Sequence, residues 1–256
     1  MSLLTLIILV PFWVAEQKPS DQDVDRGARV VLAAMVAKAE SMIPDNTYQG
    51  GDVRLDQLIR SGAQAAGTLP ESVRVPAFLL GMGAALDTSN LLRENPVLGP
   101  RWKGLETPEQ RKRRLKALGK PTLHGREDLG QHFAVSAALT VLQGEKRAEA
   151  ADILKEVLDS APGGSGFSFA DLAADLSGIA LAQLLTTLPD HLQSLAKSFA
   201  ASDYCLSPRG LEEGLSQDEF QKRHGSVRDR RFQQALDGLR ERIRDLPAYR
   251  DSSKAR

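Results

Sequence analysis

The chain has 256 residues, 42% hydrophobic, 26% charged and 5% aromatic, with thirty-three Lys+Arg balancing thirty-three Asp+Glu. The apolar fraction is too high for wholesale disorder, and the neutral charge balance excludes a dedicated nucleic-acid binder. A single cysteine, Cys205, excludes an internal disulfide framework and any zinc site built from cysteines.

Met1–Ala15 carries no charged side chain, and Leu3–Val10 is almost purely aliphatic before Pro11 interrupts it. That run is shorter than the roughly 20 residues of a spanning helix and fits a signal-peptide core, with Ala15 near a cleavage site. A buried N-terminal helix is the alternative. The expectation is export to the periplasm or cell envelope, with 1–15 as signal peptide, 16–25 as a polar linker and 26–256 as one helical domain. No later window reaches membrane length by this reading, since Pro76–Leu86 and Leu176–Leu188 are both short.

Val30, Val31, Ala34, Met35 and Ala37 recur at helical spacing, and Pro44-Asp45-Asn46 closes that element. Asp21–Asp25 starts like an EF-hand loop, but Arg26 replaces the turn glycine and Leu32 the closing glutamate, so calcium is not expected there. A Gly50-Gly51 break precedes a helix over 54–66. The next, 75–92, begins near Pro76 and ends before Asn95-Pro96. Its Gly81-Met82-Gly83 follows no strand and reads as close helix packing rather than a dinucleotide loop. After a loop with Gly99-Pro100, Thr107-Pro108-Glu109-Gln110 is a helix-start signature, with Thr as N-cap, Pro at N1 and Gln at N3.

The helix that follows carries Arg111, Lys112, Arg113 and Arg114. A basic run of this kind is usually a solvated face; its functional reading is peripheral contact with anionic lipid. No aromatic residues interleave with it, which argues again against nucleic acid. Helices are expected over 126–143, 146–159, 169–187 and 189–201. A polar stretch with Pro208 and Gly210 leads to a last helix over 227–246, ended by Pro247. Period-two runs of β-branched and aromatic residues do not occur, so the expected fold is all-α, a multi-helix globular bundle.

The chemistry-bearing residues cluster between 125 and 180. At 100° per residue, Asp128, His132, Val135, Ser136 and Leu139 share one helix face, placing His132 in an apolar stripe with Asp128 one turn before it. A buried imidazole needs partners, and Asp128 is placed to orient it. Glu156 and Asp159 lie three residues apart at the end of the next helix, where the Asp159 charge opposes the helix dipole and needs compensation by Lys155, a metal or another helix. Ser168 and Asp171 read as a capping-box variant, and Asp171, Asp175 and Gly178 share one edge of the third helix. Gly178 would admit a neighbouring backbone.

Each feature also has a plain structural reading. Asp171 caps its helix, Asp128 favours a helix start, and a lone histidine on an apolar face is more often a satisfied core residue than a ligand. Asp175 is hardest to dismiss, being mid-helix beside Leu172 and Ile179. The Asp128/His132/Ser136 spacing mimics a hydrolase triad, but all three lie along one helix with no oxyanion hole in sight. Converging on one cavity, these groups would suit a divalent metal held by His132, Glu156, Asp159 and Asp175, or an arginine from elsewhere.

In order and spacing, Asp128-x3-His132-Phe133-x2-Ser136, Lys155-Glu156-x2-Asp159 and Ser165-Gly166-Phe167-Ser168-x2-Asp171-Leu172-x2-Asp175-x2-Gly178 resemble the YfiM-type family of small bacterial periplasmic lipoproteins. The resemblance is confined to 125–180, and its polar signature carries over to His132, Glu156, Asp159, Asp171 and Asp175. It implies an envelope location and a compact helical module, but no particular activity. Family members are lipidated on an N-terminal cysteine, which this chain lacks near its start, so a soluble exported protein is expected. Two functions follow as expectations: an envelope protein of structural or binding role with an internal polar network, and, alternatively, a metal-dependent hydrolase acting on an envelope lipid or cell-wall substrate.

Overall fold

The structure, a computed structural model, describes residues 18–42 and 48–250. The expected signal peptide, the boundary-setting segment 44–46 and the start of the linker lie outside them. Among the described residues there are fourteen helices and no strand, packed as the expected multi-helix bundle.

Helix α1 (Asp21–Ser41) starts inside the expected linker because Ser20 caps it, its Oγ accepting from the Asp23 amide at 3.2 Å. Val24, Ala28, Val31 and Met35 face inward at helical spacing. Helix α2 (Tyr48–Ala66) takes Gly50 and Gly51 into its first turn instead of breaking at them. Gly51 stays there as a close-approach point, its carbonyl accepting from the Thr122 amide at 3.0 Å.

Helix α3 (Glu71–Leu86) starts earlier than Pro76 and holds that proline in its interior, buried from Ala77 to Leu86. It stops at Asp87, whose carboxylate takes the Ser89 amide at 2.9 Å and the Trp102 indole N–H at 2.9 Å. That local capture of the backbone splits the expected 75–92 helix and leaves two short turns, α4 (Leu91–Glu94) and α5 (Gly99–Lys103). A Cβ at Gly81 would reach within 2.7 Å of the Ala28 carbonyl oxygen, so α1 and α3 meet backbone to backbone there.

Helix α6 (Pro108–Leu118) opens with the full Thr107/Gln110 capping box. Its basic run is largely consumed by the fold. Arg111 donates to the Ser89 carbonyl at 2.9 Å, and Arg113 pairs with Glu40 at 2.6 and 2.7 Å. Arg114 is buried against Glu106 at 2.7 Å. Lys112 is the member left exposed with no such bond among the described residues. One buried guanidinium ties this half together: Arg54 donates to Ala39, Ala117 and Leu118 carbonyls at 2.9, 2.8 and 2.7 Å, closing the C-terminal ends of α1 and α6 together.

The second half is built on α7 (Glu127–Gln143), α8 (Glu145–Asp159) and α9 (Phe169–Thr187). Helix α7 is sandwiched between α3 and α9. Helix α9 is long and apolar enough to cross a membrane, because Phe169–Ala174 extends the run expected to begin at Leu176, but 78% of its apolar window is buried inside the protein. It is placed as a core helix. Around it lie α10 (His191–Ser198), α11 (Ala201–Tyr204), α12 (Gln217–His224), α13 (Arg230–Arg244) and α14 (Pro247–Arg250). Helix α12 falls in the stretch expected to be irregular; Ser216 and Glu219 form a reciprocal capping box that starts it. Pro247 opens α14 rather than merely ending α13, as its fixed φ suits a first helical turn. Phe167, Phe169, Phe220 and Phe232 stack into one aromatic knot over the start of α9.

Candidate functional site

Helices α7 and α9 approach unusually closely because Gly178 carries no side chain; a Cβ there would overlap the Phe133 carbonyl oxygen. This contact brings His132, one residue before Phe133, against Asp175, three residues before Gly178. His132 Nδ1 lies 2.9 Å from Asp175 Oδ1, and the Ser136 hydroxyl donates to the same oxygen at 2.7 Å. On its other side, His132 Nε2 is 3.7 Å from Asp171 Oδ2. The imidazole is therefore held between two carboxylates from consecutive turns of α9. Burial works to lower its pKa, but the charge and hydrogen bond of Asp175, joined by Asp171, outweigh burial and lift it to about 9. His132 is thus an imidazolium at neutral pH, and a proton donor rather than a base.

Asp128 does not orient His132, contrary to expectation. The guanidinium of Arg126, at the N-cap of α7, takes the Asp128 carboxylate at 2.5 Å and also reaches Asp171 at 3.0 Å and Glu213. A charge two residues away on the same segment wins over the imidazole one turn further on. The triad geometry is accordingly absent: Ser136 gives its hydrogen to Asp175 and not to His132.

Glu156 is fully buried at the end of α8. Its Oε2 accepts the Ser168 amide at 3.0 Å, and its Oε1 takes Lys155 Nζ at 2.9 Å. Ser168 in turn caps α9 by accepting the Asp171 amide at 3.1 Å, so Asp171 does serve at N3 as well as pairing with Arg126. Lys155 also holds Asp159 at 2.8 Å, supplying the compensation that a carboxylate in a last helical turn requires. Burial pushes the Glu156 and Asp171 carboxyls above their ordinary values, against the pull of Lys155 on Glu156 and of His132 on Asp171.

One buried carboxylate was not foreseen. Asp152, one turn before Glu156 on α8, is 5% exposed and faces the same interior as Asp175, which is 2% exposed. Burial, and then the neighbouring Asp175 charge, hold the Asp152 carboxyl far above the carboxylate range. Oδ2 of Asp152 and Oδ2 of Asp175 have no hydrogen-bond partner among the described residues. A signal for Asp152 exists in the sequence, since it falls at i+4 between buried Ala148 and Glu156, on the inward stripe of its helix.

Both carboxylates line a cleft of about 430 Å³ that also includes His132, Ser136, Lys155 and Asp159. Its walls are apolar: Leu92 and Leu98 from the α4–α5 segment, Val135 and Leu139 from α7. Its rim is formed by Leu91, Leu154 and Leu158, which are 63%, 57% and 63% exposed. Large aliphatic side chains left in water around a polar floor are the anatomy of a small-molecule site.

The expected metal ligands are only partly gathered. His132, Glu156 and Asp171 each offer one ligand atom within 4.8 Å of the others, close enough in principle for one ion. Asp159 and Asp175 are outside that group. The donor set fits a cation poorly, because both Glu156 oxygens and one Asp171 oxygen are already held by Lys155, the Ser168 amide and Arg126. No family model, curated protein or solved structure matches this chain, so the YfiM-type resemblance rests on the signature within 125–180 alone.

Proposed function

We propose that the cleft between the α4–α5 segment, α7 and α8 binds a small amphiphilic molecule, and that the chain is an exported envelope protein whose ion-pair network forms the rigid floor of that site. The observation carrying this reading is the pair of buried, unpartnered carboxylate oxygens of Asp152 and Asp175 beneath an apolar wall with exposed leucines at its mouth. Leaving a buried acceptor unsatisfied costs about 1–3 kcal/mol, which a ligand donor would recover. The rest of the network is closed on itself: Lys155 serves Glu156 and Asp159, Arg126 serves Asp128, Asp171 and Glu213.

The test is a fluorescence titration with N-phenyl-1-naphthylamine, a neutral apolar probe that brightens out of water. Wild type should bind it, and Leu154→Arg with Leu158→Arg should weaken binding by about tenfold or more while leaving the helical circular dichroism intact, since both leucines are exposed. Equal binding by the doubly substituted chain, or none by wild type, would overturn the reading.

The proximity of His132, Glu156 and Asp171 is the one observation behind a second reading, a metal-dependent hydrolase on an envelope substrate. Elemental analysis of the dialysed protein beside His132→Ala decides it. Near-stoichiometric metal lost in the variant would support a metal centre; a metal-free, folded wild type after reloading would remove it.

A further inference from the structure

We infer that the molecule seated in this cleft is an alkylammonium by class, an apolar arm ending in a protonated nitrogen that lies against Asp152 and Asp175. This rests on the cleft being a ligand site, and concerns which head group that site selects. The two floor carboxylates come from different helices, and each keeps one oxygen without a partner. The protein's own donors are used elsewhere. His132 and Ser136 both spend their hydrogens on Oδ1 of Asp175, leaving Oδ2. Lys155 lines the same cleft but is held by Glu156 and Asp159.

Burial and Asp175 hold the Asp152 carboxyl far above the carboxylate range, so the floor by itself keeps one proton between two acids. An ammonium would take that proton's place, Asp152 releasing it to solvent as the head group arrives. An ammonium offers three donors and no acceptor, enough for both oxygens. A hydroxyl offers a single donor to two acceptors, and a carboxylate or phosphate head would meet two acidic groups, with His132 already paired to Asp175 and Lys155 to Glu156 and Asp159. A hard divalent cation would ask for six or so oxygen ligands, whereas other oxygens of the lining are engaged: Asp159 with Lys155, Asn95 with the Val97 and Leu98 amides, and Gln131 with Thr88. Val135, Leu139 and Leu92 form the wall along which an alkyl arm would run, toward Leu154 and Leu158 at the mouth.

The test is calorimetric titration of the full chain with three matched probes, octylammonium, octanol and octanoate, beside the naphthylamine titration. Octylammonium should bind at one per chain, about tenfold or more tighter than octanol, with octanoate weaker than both. In Asp152→Asn, which keeps size and shape, the preference for octylammonium over octanol should fall to within about threefold while naphthylamine binding persists. Equal affinity for all three probes, or binding of octylammonium by Asp152→Asn as tight as by wild type, would overturn the ammonium assignment and leave the cleft as an apolar site. Binding of naphthylamine without any of the three would do the same. Failure of all four ligands with folded wild type would remove the cleft reading itself. The probe series in wild type decides the head group even should Asp152→Asn fail to fold.

Discussion

The protonation of His132 is the sharpest electrostatic consequence of the α7–α9 contact. Its imidazole faces Asp175 and Asp171 from α9, Lys155 from α8, and Asp128 from its own helix, with Arg126 beyond. Burial and Lys155 disfavour the charged ring; the Asp175 and Asp171 carboxylates prevail and raise its pKa from 6.5 to about 9. Because the folded state then binds the proton more tightly than the unfolded chain, the stabilisation is complete below about pH 6.5 and is lost as pH climbs through about 9. At 1.36 kcal/mol per pH unit, that interval is worth about 3 kcal/mol. Imidazole resonances followed by proton NMR, assigned against His132→Gln, should show one ring titrating near 9. Urea unfolding at pH 6.5 and pH 9 should show wild type losing about 3 kcal/mol across the interval and His132→Gln losing far less. A His132 titration at or below 6.5, or the same pH slope in both chains, would refute the reasoning.

Three further outcomes are expected. Arg54→Met should cost about 3 kcal/mol in urea unfolding, because carbonyls of Ala39, Ala117 and Leu118 at two helix ends lose their common buried donor; a loss below about 1 kcal/mol would mean water replaces it. Asp56, half-buried and raised to about 6 mainly by burial despite accepting the Ala201 amide, binds its proton more tightly folded than unfolded, so wild-type stability falls as pH rises from about 4 to 6. Asp56→Asn should remove that slope and be more stable than wild type above pH 6 by about 1 kcal/mol, the full shift being discounted for solvent screening. Gly178→Ala should force α7 and α9 apart, costing about 1–3 kcal/mol, and should bring the His132 pKa down toward 6.5 as its contact with Asp175 opens; an unshifted His132 would show that Gly178 does not set the site.

Much of this architecture was legible in single-helix patterns. The caps and breakers around 126–143, 146–159 and 169–187 bound α7, α8 and α9 to within a residue or so, since Ser168, Gly144 and the Pro162–Gly166 loop act locally. Gly178 was readable as a close-approach point, and Asp175 as a misfit on an apolar helix. What could not be read was which partner each polar group takes. Periodicity orders residues on one helix but says nothing of how helices register against one another. Asp128 therefore looked like the orienter of His132, whereas the cross-helix partner is Asp175 and Arg126 claims Asp128. Asp152 is hidden for the same reason: all the acids of its helix share one stripe at helical spacing, and only the docking of α8 on α7 and α9 decides that Asp152 and Glu156 are the buried ones. At Asp87, a side chain bonding to the backbone two residues on ended a helix whose hydrophobic pattern continued. In α12 the Ser216/Glu219 capping box was present in the sequence, within a stretch too polar to suggest a helix by periodicity.

The most direct measurement of the central claim is a crystal structure of the protein soaked with an ω-bromoalkylammonium, read by bromine anomalous scattering. The account predicts a bromine site at the cleft mouth among Leu91, Leu154 and Leu158, with the nitrogen within hydrogen-bond distance of Asp152 and Asp175. Bromine located in a different cleft, lined by Val24, Val75, Leu79 and Leu185, or a nitrogen turned to solvent, would contradict it.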